Sequence, residues 1–113
     1  MWVMTTSHDT PHDLVARFVD VFNSGGSVAP LYEEGGVVVP VPGHAVGDPM
    51  PAVERLRGLG AMTARVRRCY VVGDLALVVV DWAVGELSGT AADVLRRREA
   101  GWRYVIDNPH GVA

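Results

Sequence analysis

The stretch Asp93–Gly111, "DVLRRREAGWRYVIDNPHG", decides the architecture of this chain. Trp102, Tyr104 and Ile106 alternate with Arg103, Val105 and Asp107, the period-2 pattern of a strand with two unlike faces. Ahead of it, "TAADVLRRRE" (Thr90–Glu99) reads as a second strand, and Ala100-Gly101 as the hairpin turn between them. Two aromatics on one side of a terminal strand either complete a packed core or line a cavity.

Working back toward the start, "LALVVVDWAV" and "MTARVRRCYVV" supply two more strands. Gly73-Asp74 separates those two, and a loop centred on Leu87 leads on into the third strand. Three helices precede this meander. The first opens at Thr10-Pro11, with Thr10 as cap, Pro11 at the first helical position and Asp13 at the positive end. Leu14, Val15, Phe18, Val19, Val21 and Phe22 recur at helical spacing, with Arg17 and Asp20 on the far side, and "NSGG" ends the run. "SVAPLYEEGG" reads as a short helix from Ser27, irregular at Pro30, and "VVVPVPG" as a ragged edge strand. "GDPMPAVERLRGLG" reads as a third helix capped by Asp48 and stopped by Gly58 or Gly60. Helices followed by an antiparallel meander predict an α+β fold in one domain over residues 1–113, with residues 1–9 as a flexible lead-in.

Composition bounds the function. A chain of 113 residues buries about 65% of its unfolded surface on folding. Yet 49% of its residues are apolar and the mean hydropathy is +0.18, a surplus that a pocket or a partner would absorb. Ten Lys+Arg, all arginine, against 13 Asp+Glu give a formal charge of −3, which argues against nonspecific nucleic-acid binding and leaves no lysine for Schiff-base chemistry. One cysteine and four scattered histidines predict neither a disulfide nor a metal centre, and no cofactor is expected. No apolar run is long enough to span a membrane, and a cytoplasmic location is expected.

The turns assign faces. A turn centred on Ala100-Gly101 sets Arg97 opposite Tyr104, Leu95 opposite Ile106 and Asp93 opposite Asn108. The Leu87-centred loop sets Asp81 opposite Asp93. One face then carries Leu77, Val79, Asp81, Asp93, Leu95, Arg97, Trp102, Tyr104, Ile106 and Asn108. The other carries Ala76, Val78, Val80, Trp82, Val94, Arg96, Arg98, Arg103, Val105 and Asp107. Both faces are apolar at the centre, which predicts helices on one and, most simply, a second copy of the sheet on the other. In that homodimer Val78, Val80, Trp82 and Val94 form the contact.

The pieces "VARFVDVFNSG", "VGDLALVVVDW" and "DVLRRREAGWRYVID" resemble the SnoaL-like and ketosteroid isomerase-like group of the nuclear transport factor two-like superfamily, from Pro11 to Gly111. The resemblance implies a curved sheet wrapped around helices as a cone, with a pocket at the wide end and usually a homodimer. It also implies that Asp93 faces the pocket. The superfamily includes isomerases, epoxide hydrolases, polyketide cyclases, dehydratases and association domains, so fold alone does not name a reaction. Ketosteroid isomerase has its aspartate base before a proline, where this chain has Val39 and Val41. Limonene epoxide hydrolase uses an aspartate–arginine–aspartate set, and this chain keeps Asp93 with Ala91 and Tyr104 at the other two positions.

The candidate catalytic residues are therefore Asp93, Tyr104 and His44. A carboxyl in an apolar cavity has a raised pKa, as an acid or base needs, unless Asp93 is simply solvated or bonded to Asn108. Asp81 would pair with Asp93 and share a proton. Arg97 is either an anion clamp or a rim residue. Trp102, Tyr32, Leu95, Ile106 and Asn108 are candidate ligand contacts, with Tyr32 closing the cavity mouth. His44 lies in an exposed-looking loop. Two functional readings stand: cofactor-free acid–base chemistry on a small apolar molecule, or a non-catalytic binding or association module.

Overall fold

The computed structural model describes residues 9–111; most of the lead-in expected over residues 1–9 lies outside them. Helix α1 (Pro11–Ser24) starts as its sequence dictates. Asp13 N–H donates to Thr10 Oγ1 at 3.0 Å, and Thr10 N–H donates to Asp13 Oδ2 at 3.2 Å, a reciprocal cap. It ends at Gly25, whose φ of 83° is left-handed. Its apolar stripe, Leu14, Val15, Phe18 and Phe22, lies against the sheet.

The helix expected from Ser27 is a single 3-10 turn, Ala29–Leu31, and strand β1 (Tyr32–Val38) begins at once. Parallel pairing with the last strand overrides the local helical preference of this segment. The ragged strand thus starts earlier than the sequence suggests. It stops before Pro40 and Pro42, which lack the N–H a ladder needs and fall in an exposed loop. Helix α2 (Pro49–Arg57) is capped by Asp48, whose Oδ1 accepts from Met50 N–H at 3.0 Å. Arg57 fastens α2 to the end of α1. Its guanidinium donates to Phe22 O (3.1 Å) and Gly26 O (2.6 Å) and lies over the Phe22 ring. There are thus two α-helices among the described residues, where the sequence suggests three.

The meander follows as β2 (Met62–Val72), β3 (Leu75–Val84), β4 (Leu87–Arg98) and β5 (Gly101–Asp107). The five-stranded sheet runs β1-β5-β4-β3-β2, with only β1 and β5 parallel. This is an α+β cone: an unclosed sheet with the helices on one face and a pocket between them.

Two registers differ from the sequence reading. The β3–β4 turn is Gly85-Glu86, with Val84 opposite Leu87, because Gly85 takes the left-handed φ of 60° that a two-residue turn demands. Gly89 lies within β4, where a side chain would meet the Trp82 ring at 3.1 Å. The shift is an odd number of residues, so it turns β3 over relative to β4. Ala76, Val78, Val80 and Trp82 therefore face the helices beside Ala91, Asp93 and Leu95, and all are buried. The contact expected at Val78, Val80 and Trp82 is thereby corrected: these are core residues. Asp81 is opposite Thr90, on the far face from Asp93, so the expected Asp81–Asp93 pair does not form.

The β4–β5 turn is Glu99-Ala100, which sets Arg97 opposite Trp102 and Leu95 opposite Tyr104. The offset from the expected turn is even, so Trp102 and Tyr104 keep the inner face. A bulge then intervenes, and Val94 pairs with Ile106. It turns Ile106 outward and brings Asp107 inward, the reverse of the sequence assignment.

Trp82 is 8% exposed and its Nε1 donates to Pro109 O at 2.8 Å. Trp82→Ala should cost about 3–5 kcal/mol, as a buried aromatic truncation does. Urea denaturation reads this directly; a loss under about 1 kcal/mol would place Trp82 outside the core.

Candidate functional site

Between α1, α2 and the inner face of the sheet lies a cavity with about 80 Å³ open to the centres of water-sized molecules. The space suits a molecule of a few heavy atoms. Its walls include Val15, Phe18, Val53, Met62, Val80 and Trp82, and its polar groups come from Asp93, Tyr104 and Asp107.

Asp93 is 5% exposed, the one charged residue type in the buried core. Its Oδ1 accepts the backbone N–H of Asn108 at 2.8 Å. Asp107, half-buried beside it, accepts the Tyr32 hydroxyl at Oδ2 (2.6 Å) and is hydrogen-bonded to the Asp93 carboxyl. Two carboxyls bond to each other only if one carries a proton. The pair therefore holds at least one proton, and with Asp107 ionised it carries one proton and one negative charge. Burial pushes Asp93 well above the ordinary carboxylate range, the Asp107 charge adds to this, and the Asn108 N–H offsets part of it. Burial also raises Asp107, while the Tyr32 and Asp93 hydrogen bonds and the His110 imidazole draw it back. Asp93 is accordingly the protonated partner and Asp107 the carboxylate.

The aromatic rings fix the rest. Tyr104 is 5% exposed, its ring edge-on to Phe18 at 5.5 Å and tilted against Tyr32 at 5.3 Å. Its hydroxyl has no hydrogen-bond partner among the described residues, although it lies in the same wall as the two carboxyls. Burial first, and then the neighbouring carboxyl pair, raise both tyrosine hydroxyls above their ordinary value.

Of the residues anticipated from sequence, the cavity brings together Asp93 and Tyr104 directly. Tyr32 acts through Asp107, and Asn108 through its backbone, its side chain donating instead to Gly111 O. Leu95 and Trp102 are buried in the packed core beside the cavity. Three others lie elsewhere. Asp81 is on the outer face, held below the usual carboxylate range first by Thr90 and then by Arg67 and Arg65. Arg97 pairs with Asp74 at 2.9 Å while lying over Trp102, and His44 is in the exposed loop before α2. Ile106 faces outward.

The residue that sequence reasoning missed is Asp107. The signal was present: Val105 and Ile106 are consecutive apolar residues, a break in alternation that a bulge explains.

No protein-family model matches the sequence, and no curated protein matches it significantly. Solved structures do match. An NTF2-like protein of unknown function from Silicibacter pomeroyi superposes with a TM-score of 0.71 at 13% identity, over 86% of this chain and 88% of that one. The fold is NTF2-like. A second NTF2-like protein of unknown function, from Shewanella baltica, gives 0.70 at 14% identity over 86% of each chain. A conserved protein from Planctomyces limnophilus gives 0.69 at 19% identity, over 86% and 89%. At such identities the NTF2-like likeness establishes the architecture, and the chemistry has to be argued from the cavity.

The raised carboxyls set a pH dependence. The native pair holds a proton that unfolded aspartates release near pH 3.9. Its contribution is complete below that value and declines as pH rises through the native one. Stability from denaturant unfolding should therefore fall as pH rises from about 3.9 toward the raised native value, and fall less in Asp93→Asn. Parallel profiles for the two proteins would contradict the shared proton.

Proposed function

We propose that this NTF2-like chain is a small-molecule pocket protein whose cavity carries out cofactor-free acid–base chemistry. The observation that supports this reading is the one-proton carboxyl pair sharing an apolar wall with an unpartnered tyrosine hydroxyl. In it Asp93 donates a proton, Asp107 accepts one, and Tyr104 holds the polar atom of the substrate. Tyr32 and the Asn108 N–H are positioning groups, fixing each carboxyl in place. Isomerisation, dehydration, cyclisation and hydrolysis all share such a proton step, and a positioned acid or base contributes about 10²–10⁴-fold.

One observation favours a non-catalytic binding module instead. Both carboxyls already accept an internal donor, as a purely structural network would. A screen of small molecules with apolar bodies, read by thermal shift and by turnover, separates the two. Acid–base chemistry requires turnover that Asp93→Asn and Asp107→Asn each lower by at least about 10²-fold while ligand still binds. Binding without turnover in the parent protein supports the module.

We also infer that copies pair through the outer sheet face. Strand registers align Tyr70, Leu77, Val94, Ile106 and Val37 in one apolar row across all five strands. Tyr70 is 58% and Leu77 39% exposed, which leaves the row open to a partner. Sedimentation of Leu77→Asp should show a folded monomer where the parent protein is a dimer. A 12.1 kDa parent species at micromolar concentration contradicts this.

A further inference from the structure

The cavity has one sign of charge. Among its lining residues the ionisable groups are Asp93, Tyr104 and Asp107, and no arginine or histidine is among them. The chain has no lysine to supply a cation either. Neither carboxyl makes an ion pair among the described residues. The donors that meet them, the Tyr32 hydroxyl and the Asn108 N–H, are neutral. The His110 imidazole, near enough to influence Asp107, is not part of the wall.

A single negative charge thus faces an apolar space without a counter-ion in contact. Charge buried this way is stabilised chiefly by a cation placed against it. The remaining wall suits one, since Phe18, Trp82 and Tyr104 line the same space and an aromatic ring face attracts positive charge. The hydroxyl of the buried Tyr104, without a hydrogen-bond partner among the described residues, adds an oxygen that accepts an N–H.

We propose that the cavity selects a small monocationic amine, its ammonium between the Asp107 carboxylate and the Tyr104 oxygen and its hydrocarbon part against Phe18 and Trp82. This rests on the reading of the cavity as a ligand site and adds the charge of the ligand. An anion is disfavoured by the carboxylate. A neutral molecule of the same shape fills the space but leaves the charge unmatched.

The test compares cyclopentylamine, protonated at neutral pH, with cyclopentanol, its neutral counterpart of nearly the same size, by calorimetry and thermal shift. The amine should bind at least tenfold more tightly than the alcohol. That preference should vanish in Asp107→Asn and persist in Asp81→Asn, a carboxylate on the outer face. Equal or tighter binding of the alcohol overturns the cation proposal and leaves the ligand site standing. Failure of both probes at millimolar concentration overturns the ligand site as well. Amine binding that is unchanged in Asp107→Asn also overturns the proposal. If Asp107→Asn does not melt cooperatively, Tyr104→Phe and nuclear Overhauser contacts from the bound amine to the Trp82 ring of the parent protein decide. Contacts to Trp82 with weakened binding in Tyr104→Phe support the site, and their absence refutes it.

Discussion

The hydrogen bond between the Asp93 and Asp107 carboxyls organises the heart of this molecule. An isolated carboxylate in an apolar interior costs several kcal/mol. Two of them are tolerable only as a pair that keeps one proton and finds donors for its remaining oxygens. The fold supplies those donors from two places. The Tyr32 hydroxyl comes from the first residue of β1 and meets Asp107 at the end of β5, and the Asn108 N–H comes from the turn that follows and meets Asp93. The same pair thus joins the parallel edge of the sheet to its antiparallel centre and defines the polar end of the cavity.

The bulge in β5 is the geometric condition for that pair. Without it, Leu95 opposite Tyr104 would be followed by Asp93 opposite Ile106, and Asp107 would point to the outer face. With it, Val38 aligns with Asp107 and both face the cavity. The turn at Gly85-Glu86 matters equally, since it brings Trp82 to the helix side, where it walls the cavity and bonds to Pro109. One extra residue in a strand and one left-handed glycine therefore decide which side chains can meet a ligand.

These two features also mark where the sequence stops being legible. Cap residues are local, so Thr10, Asp48 and Gly25 announce the helix ends, and period-2 runs announce all four meander strands. Asp93 and Tyr104 are legible as neighbours because an even error in the β4–β5 turn leaves faces intact. Face assignment across β3 and β4 depends on whether Gly85 or a longer loop makes the turn, which local propensity does not decide. Asp107 was assigned outward for a related reason, since a bulge changes parity without changing composition. The 3-10 turn at Ala29–Leu31 gave way to a strand through pairing with β5, a contact distant in sequence. The NTF2-like architecture is robust to all of these shifts, whereas the chemistry of the cavity depends on each of them.

The central claim is that Asp93 and Asp107 share one proton inside the folded protein. Carbon-13 nuclear magnetic resonance of labelled aspartate carboxyls, followed across pH in the ligand-free chain, measures this directly. The account predicts that two carboxyl resonances titrate together and that Asp93 remains protonated well above pH 4, while Asp81 ionises below the usual range. Independent titration of Asp93 and Asp107, both near pH 3.9, would contradict it.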